Sequence, residues 1–184
     1  VTCEGPGCGA EVPLLRSMWL AKKADRSVAL HLIPNRQPKT IDIRVIVRKH
    51  KNWTDGSSSH TAVTSPKFDG TVHRGYATCP CCGYTTPVER VREQLKSRRG
   101  GADSSRLLCV VTIKQGESGR TYRLPTEQDR VAVAGAVAEL ERQQSAHGQP
   151  LSIIPNESIS LNEIRRISIP LYGMESWGDV FSSR

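Results

Sequence analysis

The chain has 184 residues, 37% of them hydrophobic and only 5% aromatic, and a formal net charge of +8. That length fits one domain, or one domain with a tail, and no apolar run approaches the ~20 residues of a membrane span. No secretory signal is visible, so we expect a cytoplasmic protein with no membrane partner, in which paired cysteines are metal ligands before they are disulfides.

The charge is uneven. Residues 1–100 carry 17 Lys+Arg against 8 Asp+Glu, a net +9, and residues 101–184 carry 9 against 10, a net −1. A basic first half suggests a polyanion partner, with nucleic acid the default. The chain opens at Val1 rather than at a methionine, and we expect it to be a segment of something longer.

The first element is a cysteine pair, Cys3-Glu-Gly-Pro-Gly-Cys8-Gly9-Ala-Glu-Val-Pro13-Leu-Leu-Arg16. Residues 14–23 follow as a helical turn or a strand, and residues 27–33 alternate as a strand. Over residues 40–47 the alternation is clearer. Ile41, Ile43, Val45 and Val47 share one face and Asp42, Arg44, Ile46 and Arg48 the other, which predicts a half-buried strand. Residues 49–69, rich in Ser, Thr, Gly, Asn, Lys and His, read as a surface loop. Residues 70–78 read as a strand leading to a second cysteine group, Cys79-Pro80-Cys81-Cys82-Gly83-Tyr-Thr-Thr-Pro87-Val-Glu-Arg90.

Pro87 suits the first position of a short helix from Val88 to about Ser97, which Gly100 and Gly101 end. Residues 107–113 and 121–124 form a hairpin across a turn at 115–119. Thr126 caps a longer helix to about Gln144, with Val131, Ala134, Val137, Ala138 and Leu140 as its apolar stripe. Residues 148–184 have little periodicity and are expected to dock on another domain. The fold class expected is α+β: a zinc ribbon with a small antiparallel sheet, one short and one longer helix, and an irregular tail.

Aligned on Cys8 and Cys82, both cysteine phrases read Cys-Gly-x-x-x-Pro-aliphatic-x-Arg. That repeat predicts two knuckles that share one metal. Thiolate is among the best ligands of tetrahedral Zn²⁺, and Cys3, Cys8, Cys79 and Cys82 supply four. Gly9 and Gly83 supply the positive φ a tight turn needs. A metal clip across 71 positions constrains the chain by on the order of 4 kcal/mol on loop-closure scaling, and the binding free energy of the metal adds to this.

Cys81 sits too close to its neighbours for the usual turn and reads as a bystander; the alternative is that it replaces one of them. Cys109, in an apolar strand, reads as a buried free thiol. A redox dithiol at Cys79-x-x-Cys82 would leave Cys3 and Cys8 without a role, and four thiolates leave no open position for a catalytic water. His31, His50, His60, His73 and His147 show no metal spacing, although His73 is an alternative ligand. There is no Pro-Pro dipeptide, no Gly-x-Gly-x-x-Gly and no phosphate-binding Gly-x-x-x-x-Gly-Lys-Ser, so the chain has no visible catalytic motif of its own.

Several phrases resemble those of the large bacterial and archaeal adenine-specific DNA methylases that contain a zinc ribbon. They are the run from Cys3 to Lys23, the run from Gly70 to Gly83, Arg120-Thr-Tyr-Arg-Leu-Pro-Thr126, Ile154-Pro-Asn-Glu157 and Tyr172-Gly-Met-Glu-Ser-Trp-Gly-Asp-Val-Phe181. Residues 49–67 match nothing in that pattern. The resemblance implies a ribbon inserted in a methyltransferase whose S-adenosylmethionine pocket and Pro-Pro-Tyr loop lie outside this segment. Only the metal ligands Cys3, Cys8, Cys79 and Cys82 carry over.

The parent it implies flips an adenine from the duplex and methylates its exocyclic amine, in restriction or phage defence, with DNA, the methylase core and other defence subunits as partners. The expected division is a basic zinc-ribbon domain over 1–100 (knuckles 3–13 and 79–87), a hairpin and helix over 101–147 packing on it, and 148–184 returning to the methylase core. Candidate DNA contacts are Arg48, Lys49 and Lys51 at the loop and Arg90, Arg92, Lys96, Arg98 and Arg99 beside the second knuckle. The alternative is a structural or protein-docking zinc platform. A free-standing RNA-binding ribbon is disfavoured by the scarcity of stacking aromatics.

Overall fold

A computed structural model describes residues 1–23, 26–56, 61–116, 118–160, 162 and 168–181. It is α+β, with antiparallel sheets and two α-helices. Contacts divide the chain into two units. The first comprises Val1–Val88 and Leu108–Leu124, the second Glu89–Leu107 and Pro125–Arg184. By contact, therefore, the 108–124 hairpin belongs with the cysteine-bearing half and the long helix with the tail. Among the described residues no helix is long and apolar enough to cross a membrane.

The first unit is built on a four-stranded antiparallel sheet in the order β1 (Trp19–Ala21), β2 (Val28–Asn35), β3 (Thr40–Lys49) and β4 (Asn52–Asp55). β2 and β3 are rich in branched residues that suit a pleated surface, and pair from Val28↔Val47 to Asn35↔Thr40. Directly paired residues share a face. Val28, Leu30, Val45 and Met18 are buried together, with Leu108, Cys109 and Tyr122 packed on them from the small hairpin of β8 (Val110–Thr112) and β9 (Thr121–Arg123).

The other face departs from expectation. Ile46 is 0% exposed, where the alternation predicted a solvent-facing side. Its register neighbours explain this. Trp19 pairs with Ala29, which pairs with Ile46, and Trp53 pairs with Arg48 two positions along. Trp19, Trp53 and Phe68 form an aromatic trio, with Trp19 and Phe68 stacked 4.2 Å apart at 16° and Trp53 tilted against both. Trp53 and Phe68 come from the stretch expected to be a loop. That stretch instead supplies β4, tied back by Asp55 N–H to Thr61 O and Val63 N–H to Trp53 O. Its residues 57–60, His60 among them, lie outside the described residues.

Residues 70–78 form a tight hairpin rather than one strand. β5 (Val72–His73) and β6 (Tyr76–Thr78) are joined by Arg74 and Gly75, both at positive φ, which is the geometry of a two-residue turn. β7 (Thr85–Thr86) completes this second sheet on the far side of Cys79–Gly83.

Thr71 fastens the two cysteine regions together. It is buried, its hydroxyl donates to Pro13 O, and its Oγ1 accepts from Leu15 N–H at 3.0 Å. Val72 N–H donates to Leu15 O, and Thr78 N–H donates to Thr71 O. The exit of the first knuckle thus runs beside the approach to the second.

α1 (Val88–Lys96), in the second unit from Glu89 on, begins just after Pro87 as expected, and α2 (Glu127–Ala146) of the same unit has the expected Thr126 cap, with Asp129 completing a capping box. No side chain of α2 is buried. Its half-buried positions are Asp129, Val133, Val137 and Leu140, whereas Val131, Ala134 and Ala138 are exposed, so the expected stripe holds at Val137 and Leu140 only.

The described tail is irregular but locally organised, with an antiparallel bridge between Ser158 and Ser176. Asp179, only 7% exposed, anchors it. One carboxylate oxygen accepts from the Arg99 guanidinium, and the other from the amides of Glu175 and Ser176 and the Ser176 hydroxyl. Burial works to raise the Asp179 pKa, but these donors outweigh it and hold it at about 2.

Two expectations follow. Thr71→Val keeps the volume but leaves the Pro13 carbonyl and the Leu15 amide unpaired, so urea unfolding should show a loss of about 1–3 kcal/mol. An unchanged midpoint would remove Thr71 from this role. For Asp179 the folded pKa lies below the unfolded one. Its contribution, on the order of 2 kcal/mol, is therefore whole above about pH 4 and drains as pH falls toward 2. Asp179→Asn should abolish that part of the acid sensitivity, and identical pH profiles for the two proteins would contradict the assignment.

Candidate metal centre

Each knuckle is a turn braced by its own backbone. In the first, Cys3 N–H donates to Ala10 O at 2.8 Å and Cys8 N–H to Gly5 O at 2.9 Å. In the second, Cys79 N–H donates to Tyr84 O and Gly83 N–H to Cys79 O, both at 2.9 Å. Gly9 and Gly83 sit at φ +67° and +78°, the left-handed conformation expected of the residue after the second cysteine of each pair. The loops approach so closely that a Cβ on Gly5 would lie 2.8 Å from Tyr84 Cβ and 3.1 Å from Cys82 Sγ.

This apposition brings the Sγ atoms of Cys3, Cys8, Cys79 and Cys82 to within 4.8 Å of one another. Cys3 and Cys82 are 3.5 Å apart, and Cys8 and Cys79 are 3.8 Å apart. Four sulfurs at a Zn–S distance of ~2.3 Å define a tetrahedron with edges of about 3.8 Å. A disulfide would need ~2.05 Å, and all six cysteines are free thiols. The donor set therefore fits a tetrahedral thiolate metal, and the four residues can hold one.

The thiols are tuned by burial and by amides. Burial pushes the Cys3 and Cys79 thiols up, opposed by the Gly5 amide at the first and by the Cys82 and Cys81 amides at the second. The exposed Cys82 is drawn down by the Tyr84 amide, 3.5 Å from its sulfur. A metal must displace protons here, so its hold weakens as pH falls.

Cys81 stands outside the sulfur cluster. Its thiol is buried and points to the Thr40 carbonyl, 3.4 Å away, at the start of β3, so it joins the knuckle to the main sheet instead. Burial pushes it up. Cys3, Ala10, Val12, Ile41, Cys79 and Cys81 form one buried cluster, so the centre is continuous with the β2–β3 core. Cys109 is half-buried, with its thiol also pushed up by burial. His73 is exposed in β5 and is not part of the cluster.

Arg36 and Lys39, in the β2–β3 turn, border the cysteine loops beside Gly7, Pro80 and Gly83. A dication held by four thiolates has net charge −2, which these cations offset. Neither stood out in the sequence, because nothing local shows that this turn reaches the knuckles.

The residues expected to contact DNA fall in both units. Arg48, Lys49 and Lys51 lie at the β3–β4 turn of the first, where Arg48 Nε donates to His50 O at 3.1 Å. In the second, Arg90 pairs with Glu93, Arg92 lies over the Tyr172 ring at 5.6 Å, and Arg99 pairs with Asp179. Lys96 is exposed and Arg98 half-buried. Three of these five cations thus have internal partners.

No family model matches the chain, and no curated protein or solved structure matches it.

Cys79→Ser should abolish metal retention, whereas Cys81→Ser, which removes only a thiol directed at a carbonyl, should retain the metal of the unaltered protein. Metal analysis of the purified variants measures both, and loss of metal from the Cys81 variant would make Cys81 a ligand.

Proposed function

We propose that the chain is a zinc-ribbon segment whose four thiolates hold one structural Zn²⁺, and that it serves as a DNA-contacting insert of an adenine-N6 DNA methyltransferase of restriction or phage-defence type. The observation that supports the metal is the convergence of four sulfurs within 4.8 Å of one another, near the spacing that four Zn–S bonds need. The methylase reading is supported by the resemblance of the phrases around both knuckles and from Tyr172 to Phe181. A closed thiolate sphere offers no position to a reacting water, so the metal's role is architectural. Methyl transfer from S-adenosylmethionine belongs to the parent's core in this reading, and no residue of this chain is assigned a catalytic role. DNA contact is supported by the net +9 of residues 1–100.

A second reading, a zinc-held docking platform, is favoured by the apolar exposure of the second unit. Leu151 is 76% exposed and Phe181 65% exposed, with Val180 and Trp177 also open.

Titration of a labelled duplex with the full metal-loaded chain at several salt concentrations separates the two. The DNA-contact reading predicts binding at low salt whose log affinity falls linearly with log salt. Absence of binding at low salt would favour the platform.

A further inference from the structure

The cations expected to grip DNA are partly committed elsewhere, but another set in the first unit is not. A cleft of about 590 Å³ lies between the β1–β2 connection and the β8–β9 hairpin. Lys22, Lys23, Arg26 and Arg120 border it, over a floor that includes Val28 and Tyr122. All four cations are exposed. Among the described residues none of the four pairs with a carboxylate, and no carboxylate lines the cleft. The Lys22 ammonium lies over the Trp19 ring at 5.3 Å. In sequence, the stretches 19–28 and 110–123 contain Lys22, Lys23, Arg26, Lys114, Arg120 and Arg123 against Asp25 and Glu117, a net +4.

The rim is built rather than incidental. The Ser27 hydroxyl is buried and donates to Lys23 O, while Lys23 N–H donates back to Ser27 Oγ at 3.2 Å. This bracket holds the backbone on both sides of the rim. Across the cleft, the hairpin turn comes close enough that a Cβ on Gly119 would lie 4.0 Å from Arg26 Nη1. Cations from two separate segments therefore face one apolar-floored space. Like charges gathered in excess repel, and a polyanion that enters the cleft relieves this.

We infer that this cleft is where the chain takes the phosphodiester backbone of DNA. The inference rests on the DNA-contact reading above and assigns it a surface. Arg and Lys supply phosphate contacts that fix position without reading sequence, so the cleft is a sequence-independent grip.

The test compares the full metal-loaded chain with Lys23→Gln/Arg26→Gln/Arg120→Gln on the same labelled duplex across a salt series. Each lost phosphate contact should flatten the slope of log affinity against log salt by about 0.9, so the triple variant should lose roughly 2.7 and Arg120→Gln alone about 0.9. The single variant keeps the test decisive should the triple variant fold poorly. Binding by the unaltered chain with an unchanged slope in the variants overturns the cleft and leaves the DNA-contact reading standing. No binding by the unaltered chain at low salt overturns both.

Discussion

Four sulfurs from two loops 71 positions apart in sequence lie within 4.8 Å of one another. The first unit is arranged around that convergence. The first knuckle sends its exit past Thr71, which holds it beside the second knuckle's approach. The second knuckle turns Cys81 into the main sheet. The buried cluster at the base of the loops includes Ile41 of β3, so a change at the centre is felt in the sheet. A chain with so few aromatic residues has limited means of building a core by packing alone. It places three of them, Trp19, Trp53 and Phe68, in one cluster, and a metal at the cysteine cluster would supply further constraint.

The second unit relies on a different device. Asp179 gathers a guanidinium, two amides and a hydroxyl around one buried carboxylate. Each of its oxygens is satisfied, which is the condition for burying a charge without a large penalty. Using Arg99 for this purpose takes it from the set of cations free to meet a ligand. Arg90 pairs with the exposed Glu93 on the same helix, and Arg92 lies over the Tyr172 ring. Among the described residues Lys22, Lys23, Arg26 and Arg120 of the first unit line the cleft without a carboxylate partner, and charge counting along the chain does not separate these two kinds of basic residue.

The parts of the fold that were legible depend on local signals. Glycine after Cys8 and Cys82, proline before α1, Thr126 ahead of α2 and the alternation of β3 each act within a few residues, and each is where the pattern placed it. What escaped depends on pairing across distance. Ile46 looks solvent-facing until β4 brings Trp53 alongside. Residues 49–69 look like a loop because their composition is polar, although Trp53 and Phe68 pack on the sheet. The clustering of Cys3, Cys8, Cys79 and Cys82 was legible because their phrase is repeated. Arg36, Lys39 and Thr71 were not, since each acts through a neighbour far along the chain. The stripe of α2 was right only at Val137 and Leu140, because a helix with no buried side chain gives packing little power to fix its rotation.

The central claim is that a metal held by Cys3, Cys8, Cys79 and Cys82 is what keeps the first unit folded. Native-state hydrogen exchange on metal-loaded and chelator-stripped protein tests it directly. The account predicts that stripping the metal collapses protection across residues 1–88 and 108–124, the β2–β3 ladder included, and that stoichiometric Zn²⁺ restores it. Protection in β2 and β3 that is the same with and without metal would contradict it.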